Sequence, residues 1–134
     1  MGDSSVKVAL RVRPFNARET AEGAVLCVSM NGTQVVLKME GENERKYNYD
    51  YAYWSHDGFV NDEAGFSSPD GPGSIYADQN QVFGDLGQTV LDNAFEGFHT
   101  TLFAYGQTGS GKSYSMVGYG ANKGIVPMVC DHIF

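Results

Sequence analysis

The sequence predicts an α/β fold built around a phosphate-binding loop, and three observations carry that prediction. Gly106 to Ser113 read G-Q-T-G-S-G-K-S, a full match to the pattern G-x-x-x-x-G-K-S/T. The apolar run Leu102-Phe103-Ala104-Tyr105 stands directly before it and a helical stretch begins near Lys112, so a buried strand is expected to deliver the loop and a helix to leave it. That arrangement lets several backbone N–H groups converge on one anion. The third observation is Val6 to Val12, an alternating run rich in branched residues that reads as another central strand.

Taken in chain order, the first strand ends at Arg13-Pro14, because proline removes the next ladder donor. Ala24 to Met30 and Thr33 to Met39 form two apolar runs joined by Asn31-Gly32, the pair that best tolerates the positive φ angles of a type I′ hairpin turn. A third strand is expected through Tyr47 to Tyr53, after the polar link Glu40 to Lys46. Between Ser55 and Ile75, Asp, Asn, Gly, Ser and Pro supply turns but no periodic apolar face, which reads as an exposed loop. From Asp78 the period becomes helical: Val82, Phe83, Leu86, Val90, Leu91, Ala94 and Phe95 share a face, with Asp78 as N-cap and Gln81 completing a capping box. Gly97 closes this helix, the strand Thr101 to Tyr105 follows, and the phosphate loop comes next. The helix after the loop is interrupted by a polar turn with Gly118, Gly120 and Gly124, before Ile125-Val126-Pro127 restarts a helical run.

At 134 residues and 42% apolar content the chain suits one domain with an ordinary core. Its formal net charge of -7 argues against nucleic acid or an anionic membrane as partner of this stretch, since both require clustered Lys and Arg. Cys27 and Cys130 are far apart and form neither a disulfide framework nor a metal pair, so they read as reduced thiols of a cytoplasmic protein. His56, His99 and His132 lack the paired spacing of a metal site. No apolar stretch reaches the ~20 residues of a membrane span and the N-terminus lacks a secretory pattern, so no membrane insertion is expected. The aromatic residues between Tyr47 and Trp54 read as strand packing, and Asp57, Asp62, Glu63 and Asp70 as a solvated loop face.

The chemistry of the loop follows from its residue types. Gly106, Gly109 and Gly111 let the backbone approach a phosphate with no Cβ in the way, and Gln107, Thr108 and Ser110 complete the cradle. Lys112 is the candidate catalytic residue, because its ammonium group reaches the β and γ phosphates. Ser113 offers the hydroxyl for Mg²⁺, a hard cation that prefers oxygen ligands and is bound together with phosphates. A magnesium nucleoside triphosphate is the expected ligand.

The match extends beyond the general pattern. Leu102-Phe103-Ala104-Tyr105-Gly106-Gln107-Thr108-Gly109-Ser110-Gly111-Lys112-Ser113 closely resembles the phosphate loop of kinesin motor domains. Val8-Ala9-Leu10-Arg11-Val12-Arg13-Pro14-Phe15-Asn16 resembles the kinesin R-x-R-P segment that ends the first strand and flanks the adenine. The two stand in the family's order and spacing. Tyr49 to Ser55, Tyr76 to Gln79, Asn93 to Phe98 and Ser113 to Tyr119 are similar to the third kinesin class of vesicle-transport motors, and the resemblance covers Lys7 to Phe134. It implies a P-loop NTPase-type kinesin motor fold with ATP and Mg as ligands. It also implies that Arg11, Arg13 and Pro14 frame the adenine, with Phe83 or Tyr114 adding an aromatic or edge contact. Phe83 fits a core helix position equally well, given its spacing with Leu86 and Val90. The resemblance further implies microtubules as the track, vesicle cargo bound through a tail, and a place in the cytoplasm on the cytoskeleton.

Residues 1–134 hold only part of that machinery. Segments that position water and sense the γ-phosphate follow the loop in such folds. Neither the N-x-x-S-S-R-S-H switch nor the D-L-A-G switch of kinesins occurs in these residues; Asp85-Leu86-Gly87 precedes the loop inside a helix, and Ser67-Ser68-Pro69 lacks the arginine and histidine. The expectation is therefore the N-terminal portion of a kinesin motor domain, with a small β-hairpin lobe, central strands and the phosphate-loop helix. Hydrolysis and track binding would need segments beyond Phe134. The alternative is a short non-motile nucleotide-binding or regulatory module, or a truncated gene product. Taken alone, apolar central strands without neighbours would aggregate.

Overall fold

The computed structural model divides the chain into two units, Met1–Asp57 and Gly58–Phe134, of which residues 6–134 are described. In the first unit β1 (Ala9–Val12) stops before Pro14, as expected, and pairs in parallel with β5 (Tyr51–Trp54), Arg11 lying opposite Tyr53. A short helix absent from the sequence reading follows. This is α1 (Ala17–Ala21), started by a reciprocal capping box in which Asn16 Oδ1 accepts from Glu19 N at 2.8 Å and Glu19 Oε2 accepts from Asn16 N at 2.9 Å. The N-x-x-E spacing was the signal that could have found it.

The hairpin forms with its turn displaced by one residue. β2 (Val28–Asn31) and β3 (Gln34–Leu37) are antiparallel with Asn31 opposite Gln34, so the two-residue turn is Gly32-Thr33 and not Asn31-Gly32. Gly32 has φ +59° and no non-glycine residue described has a positive φ, a pattern that fits a type II′ turn and excludes type I′. Asn31 keeps extended geometry because the ladder claims it. The shift matters, since one residue of register decides which side chains face inward.

The single strand expected through Tyr47 to Tyr53 is two strands in two sheets. β4 (Arg45–Asn48) extends the hairpin sheet beside β3, and β5 then joins β1. The handover occurs at Tyr49-Asp50: Tyr49 N donates to Thr33 O at 3.1 Å, while Asp50 N donates to Val8 O at 3.0 Å and the Asp50 carboxylate accepts from Val8 N at 2.8 Å. Tyr53 and Trp54 are buried, and the Trp54 indole donates to Asp57 Oδ1 at 2.7 Å, so these two pack as expected, whereas Tyr47 on β4 is exposed.

In the second unit the stretch read as an exposed loop contains a hairpin, β6 (Phe59–Asn61) with β7 (Ser67–Pro69). The strands are three residues each, Phe-Val-Asn and Ser-Ser-Pro, too short to show an apolar alternation. Asp62 Oδ1 closes the turn by accepting from Ala64 N and Phe66 N, both at 2.9 Å. The helix from Asp78 forms, and Asp78 Oδ1 accepts from Gln81 N at 2.8 Å. It runs as α2 (Gln79–Val82), a five-residue π turn (Phe83–Gly87) and α3 (Gln88–Phe95). Gly97, at φ +85°, ends it in a Schellman motif: Gly97 N donates to Ala94 O at 3.1 Å and Phe98 N to Asn93 O at 2.8 Å.

The strand expected over Thr101 to Tyr105 does not form. These residues pair with no strand among the described residues, and Phe103 and Tyr105 are 79% and 96% exposed. An extended apolar run becomes a strand only when a neighbour supplies the ladder, and this unit offers only two short hairpins. After the phosphate loop come α4 (Lys112–Met116), the small hairpin β8 (Gly118–Tyr119) with β9 (Asn122–Lys123), and α5 (Ile125–Ile133). The interruption therefore falls where the glycines indicated. Tyr76, Ala77, Val82, Phe83, Leu91 and Ile125 are the buried apolar residues of this unit. Among the described residues no helix is long and apolar enough to cross a membrane.

Candidate nucleotide-binding site

The loop is shaped by its glycines. Gly106, Gly109 and Gly111 have φ of +156°, +83° and +100°, and Ser110 N donates to Gln107 O at 3.1 Å to close the turn. A Cβ on Gly106 would lie 2.4 Å from Ser110 Oγ, on a backbone whose φ already disfavours a side chain, so a substitution there would be strained and would displace Ser110. Gly111 is the N-cap of α4 in the left-handed region, which costs other residues about 1–2 kcal/mol. Lys112, Ser113 and Tyr114 make up the first turn, where amides lack intrahelical partners and form a donor array suited to an anion. Ser113 is exposed at the second position of the helix.

Lys112 bends back over the loop. Its Nζ donates to Gly106 O and to Gln107 O, the latter at 2.9 Å, so the ammonium ties the first residues of the loop to the helix that ends it. A cation held by two neutral carbonyls is ready to exchange them for phosphate oxygens, which bind it more strongly. The fit to a phosphate ligand is thus carried by a bend that a Cβ would fill and by the donor chemistry of Lys112 and the helix start.

The aromatic candidates separate clearly. Phe83 is 8% exposed and its ring stacks on His132 at 5.1 Å, so the core reading of Phe83 holds and the base-contact reading is corrected. The π turn presses it there: a Cβ on Gly87 would lie 2.3 Å from the Phe83 ring. Tyr114 stays on the phosphate-loop helix with its ring 6.3 Å from that of Tyr119. Sequence reasoning missed Gln79, a buried polar side chain that bonds to the carbonyls of Tyr114 and Asn122. Its position at the first turn of a capped helix gave no signal of those partners.

Arg11, Arg13 and Pro14 lie in the first unit. Arg11 Nε donates to Ser55 Oγ at 2.9 Å. The Arg13 fork donates to both Glu19 oxygens, at 2.8 and 2.6 Å, and to Pro14 O at 2.7 Å. The hydrogen bond from Arg13, joined by the one from Asn16 N, lowers the Glu19 carboxyl to about 2, and the same pairing raises the Arg13 guanidinium. His56 Nδ1 donates to Arg13 O at 3.1 Å, and Phe15 meets the His56 ring edge to face at 4.8 Å. In the R-V-R-P segment a planar guanidinium is thus held beside a proline by Glu19. Cys27 and Cys130 are free, and no group of three His, Cys, Asp or Glu among the described residues could hold a metal ion.

A glycine-bent loop closed by a lysine on the first turn of a helix is the arrangement of phosphate-loop proteins. Within that class the chain belongs to the kinesin motor domain family, whose profile matches residues 11–134. It is 51% identical over 132 residues to the kinesin-like protein KIF28 of Rattus norvegicus, an alignment covering 97% of this chain and 13% of the rat protein. It is 41% identical over 139 residues to the kinesin-like protein KIF1B of Homo sapiens, covering 100% of this chain and 7% of the relative. Among solved structures, the KIF14 motor with ADP in complex with a microtubule superposes with a TM-score of 0.80 at 41% identity, over 98% of this chain and 33% of that one. The chain therefore spans about a third of that solved motor and 13% or less of these two curated relatives.

Proposed function

We propose that residues 1–134 are the N-terminal, ATP-binding portion of a microtubule-based motor of the third kinesin class. The observation that carries this reading is the cradle of Gly106 to Ser113 at the head of α4, in a chain of the kinesin family. The loop amides and the α4 N-terminus would hold the β-phosphate, Lys112 would trade its carbonyl partners for the β and γ oxygens, and Ser113 would ligate Mg²⁺. Bound there, Mg²⁺ supplies charge neutralisation for the leaving phosphates. Arg11, Arg13 and Pro14 would frame the adenine. A guanidinium held flat by Glu19 stacks on a base without reading its edges, which suits this role, and Tyr114 lies one residue from the metal ligand.

Track binding, hydrolysis and vesicle cargo belong in this reading to later segments and to the cytoskeleton. The KIF14 motors solved in complex with a microtubule support that assignment of track. Calorimetry on the full-length protein with Mg-ADP, followed by ATPase measurement with and without microtubules, tests it. Saturable one-to-one binding abolished by chelating magnesium, and turnover stimulated by microtubules, are the expected results; no binding heat at millimolar nucleotide sinks the reading.

A further inference from the structure

We propose that Gln79 is a positioning residue for the nucleotide site: its buried carboxamide clamps the helix that leaves the phosphate loop against the β8–β9 hairpin, and so sets where Lys112 and Ser113 sit. This rests on the nucleotide-binding reading above. Gln79 is the first residue of α2 and only 2% exposed. Its Nε2 donates to Tyr114 O at 2.7 Å and to Asn122 O at 3.2 Å, so one amide bridges two separate elements. Tyr114 follows directly after Ser113.

The helix needs such a clamp. α4 has five residues, far fewer than a helix requires to persist on its own propensity, so tertiary contacts decide where it lies. Other contacts converge on the same end: Gly124 N donates to Val117 O at 2.8 Å, and the hairpin is seated with no spare room. A Cβ on Gly118 would fall 1.9 Å from Asn122 O, and one on Gly124 would fall 2.5 Å from the carbonyl carbon of Met116. Asn122 is itself anchored, accepting from Ser67 N at 2.9 Å and donating to Gly65 O at 2.8 Å. An unbroken line of hydrogen bonds thus runs from the β6–β7 hairpin through Asn122 and Gln79 to the residue beside the metal-ligand candidate. An apolar replacement would remove the donor that both carbonyls share and with it the bridge between the two elements.

The test uses the full-length protein with Gln79→Met, which keeps length and removes the donor, and Gln79→Glu, which keeps shape and points an oxygen at two carbonyls. Three quantities are measured: the Kd for Mg-ADP, the Mg²⁺ concentration at half-saturation, and the Tm without nucleotide. The expected result is at least a fivefold weaker Kd and a raised Mg²⁺ half-point in both variants. A fall in Tm with Kd and Mg²⁺ half-point unchanged overturns the proposal, since a purely structural role gives that pattern. Should neither variant fold, Gln79→Asn keeps the amide one methylene short and is expected to lose at least twofold; an unchanged Kd there also overturns it. If the unmodified protein gives no heat with Mg-ADP, the nucleotide reading fails and the clamp fails with it, whereas normal binding in all proteins rejects the clamp alone.

Discussion

Replacing Lys112 with alanine in the full-length protein is expected to weaken Mg-ATP binding about thirtyfold, and the figure comes from opposing changes at one ammonium group. In the structure Nζ donates to Gly106 O and Gln107 O, and those two bonds must break when it turns to phosphate oxygens. Hydrogen bonds to charged groups are worth about 1.5–3 kcal/mol each, so two lost and two gained largely offset. What remains is the attraction of unlike charges. At 4 Å and an effective dielectric constant of about 20 this is about 4 kcal/mol, and solvent and salt at an open loop halve it to roughly 2 kcal/mol. That difference corresponds to a factor of about 30 in Kd. Calorimetry in excess Mg²⁺ reads it directly, and a loss smaller than tenfold in a variant with an unaltered circular dichroism spectrum refutes the role given to Lys112. The same variant also loses the two carbonyl bonds, so amides 106–110 are expected to exchange faster even without nucleotide.

Three further outcomes are expected. Glu19 has a folded pKa near 2, below its ordinary 4.5, so the stability it contributes is fully present above about pH 4.5 and is lost as pH falls toward 2; Tm measured across that window should drop in the parent and stay flatter in Glu19→Gln. Gly118→Ala places a Cβ at φ +75° and 1.9 Å from a backbone oxygen, which should destabilise by about 3 kcal/mol and lower Tm by roughly 8 °C in differential scanning calorimetry. Residues 1–134 expressed by themselves should elute from a sizing column as aggregate, because Phe103 and Tyr105 are exposed on a backbone with no strand partner among the described residues; a sharp monomeric transition would contradict this.

Features encoded within a few residues were legible. The phosphate loop needs glycines at fixed spacing and a lysine at the helix start, and both are written in one octapeptide. Asp78 and Gly97 bracketed their helix because an N-cap and a left-handed C-terminal glycine act on neighbouring amides and carbonyls. The α1 capping box is equally local, written in Asn16-x-x-Glu19. Phe83 could not be assigned from spacing, since a helical apolar position looks the same whether its ring meets a base or, as here, the ring of His132.

What the sequence by itself determined is thus the set of local conformations: the loop, the caps, the breaks at glycine and the family to which these patterns belong. Tertiary structure alone decided the pairings. It split Tyr47 to Tyr53 between two sheets through the Val8–Asp50 bonds, moved the hairpin turn to Gly32-Thr33, left Thr101 to Tyr105 without a ladder, and aimed Gln79 at the helix behind Lys112. The hairpin turn follows from the register its own ladder takes, and the others depend on partners distant in the chain; periodicity carries no information about which carbonyl will accept a given donor.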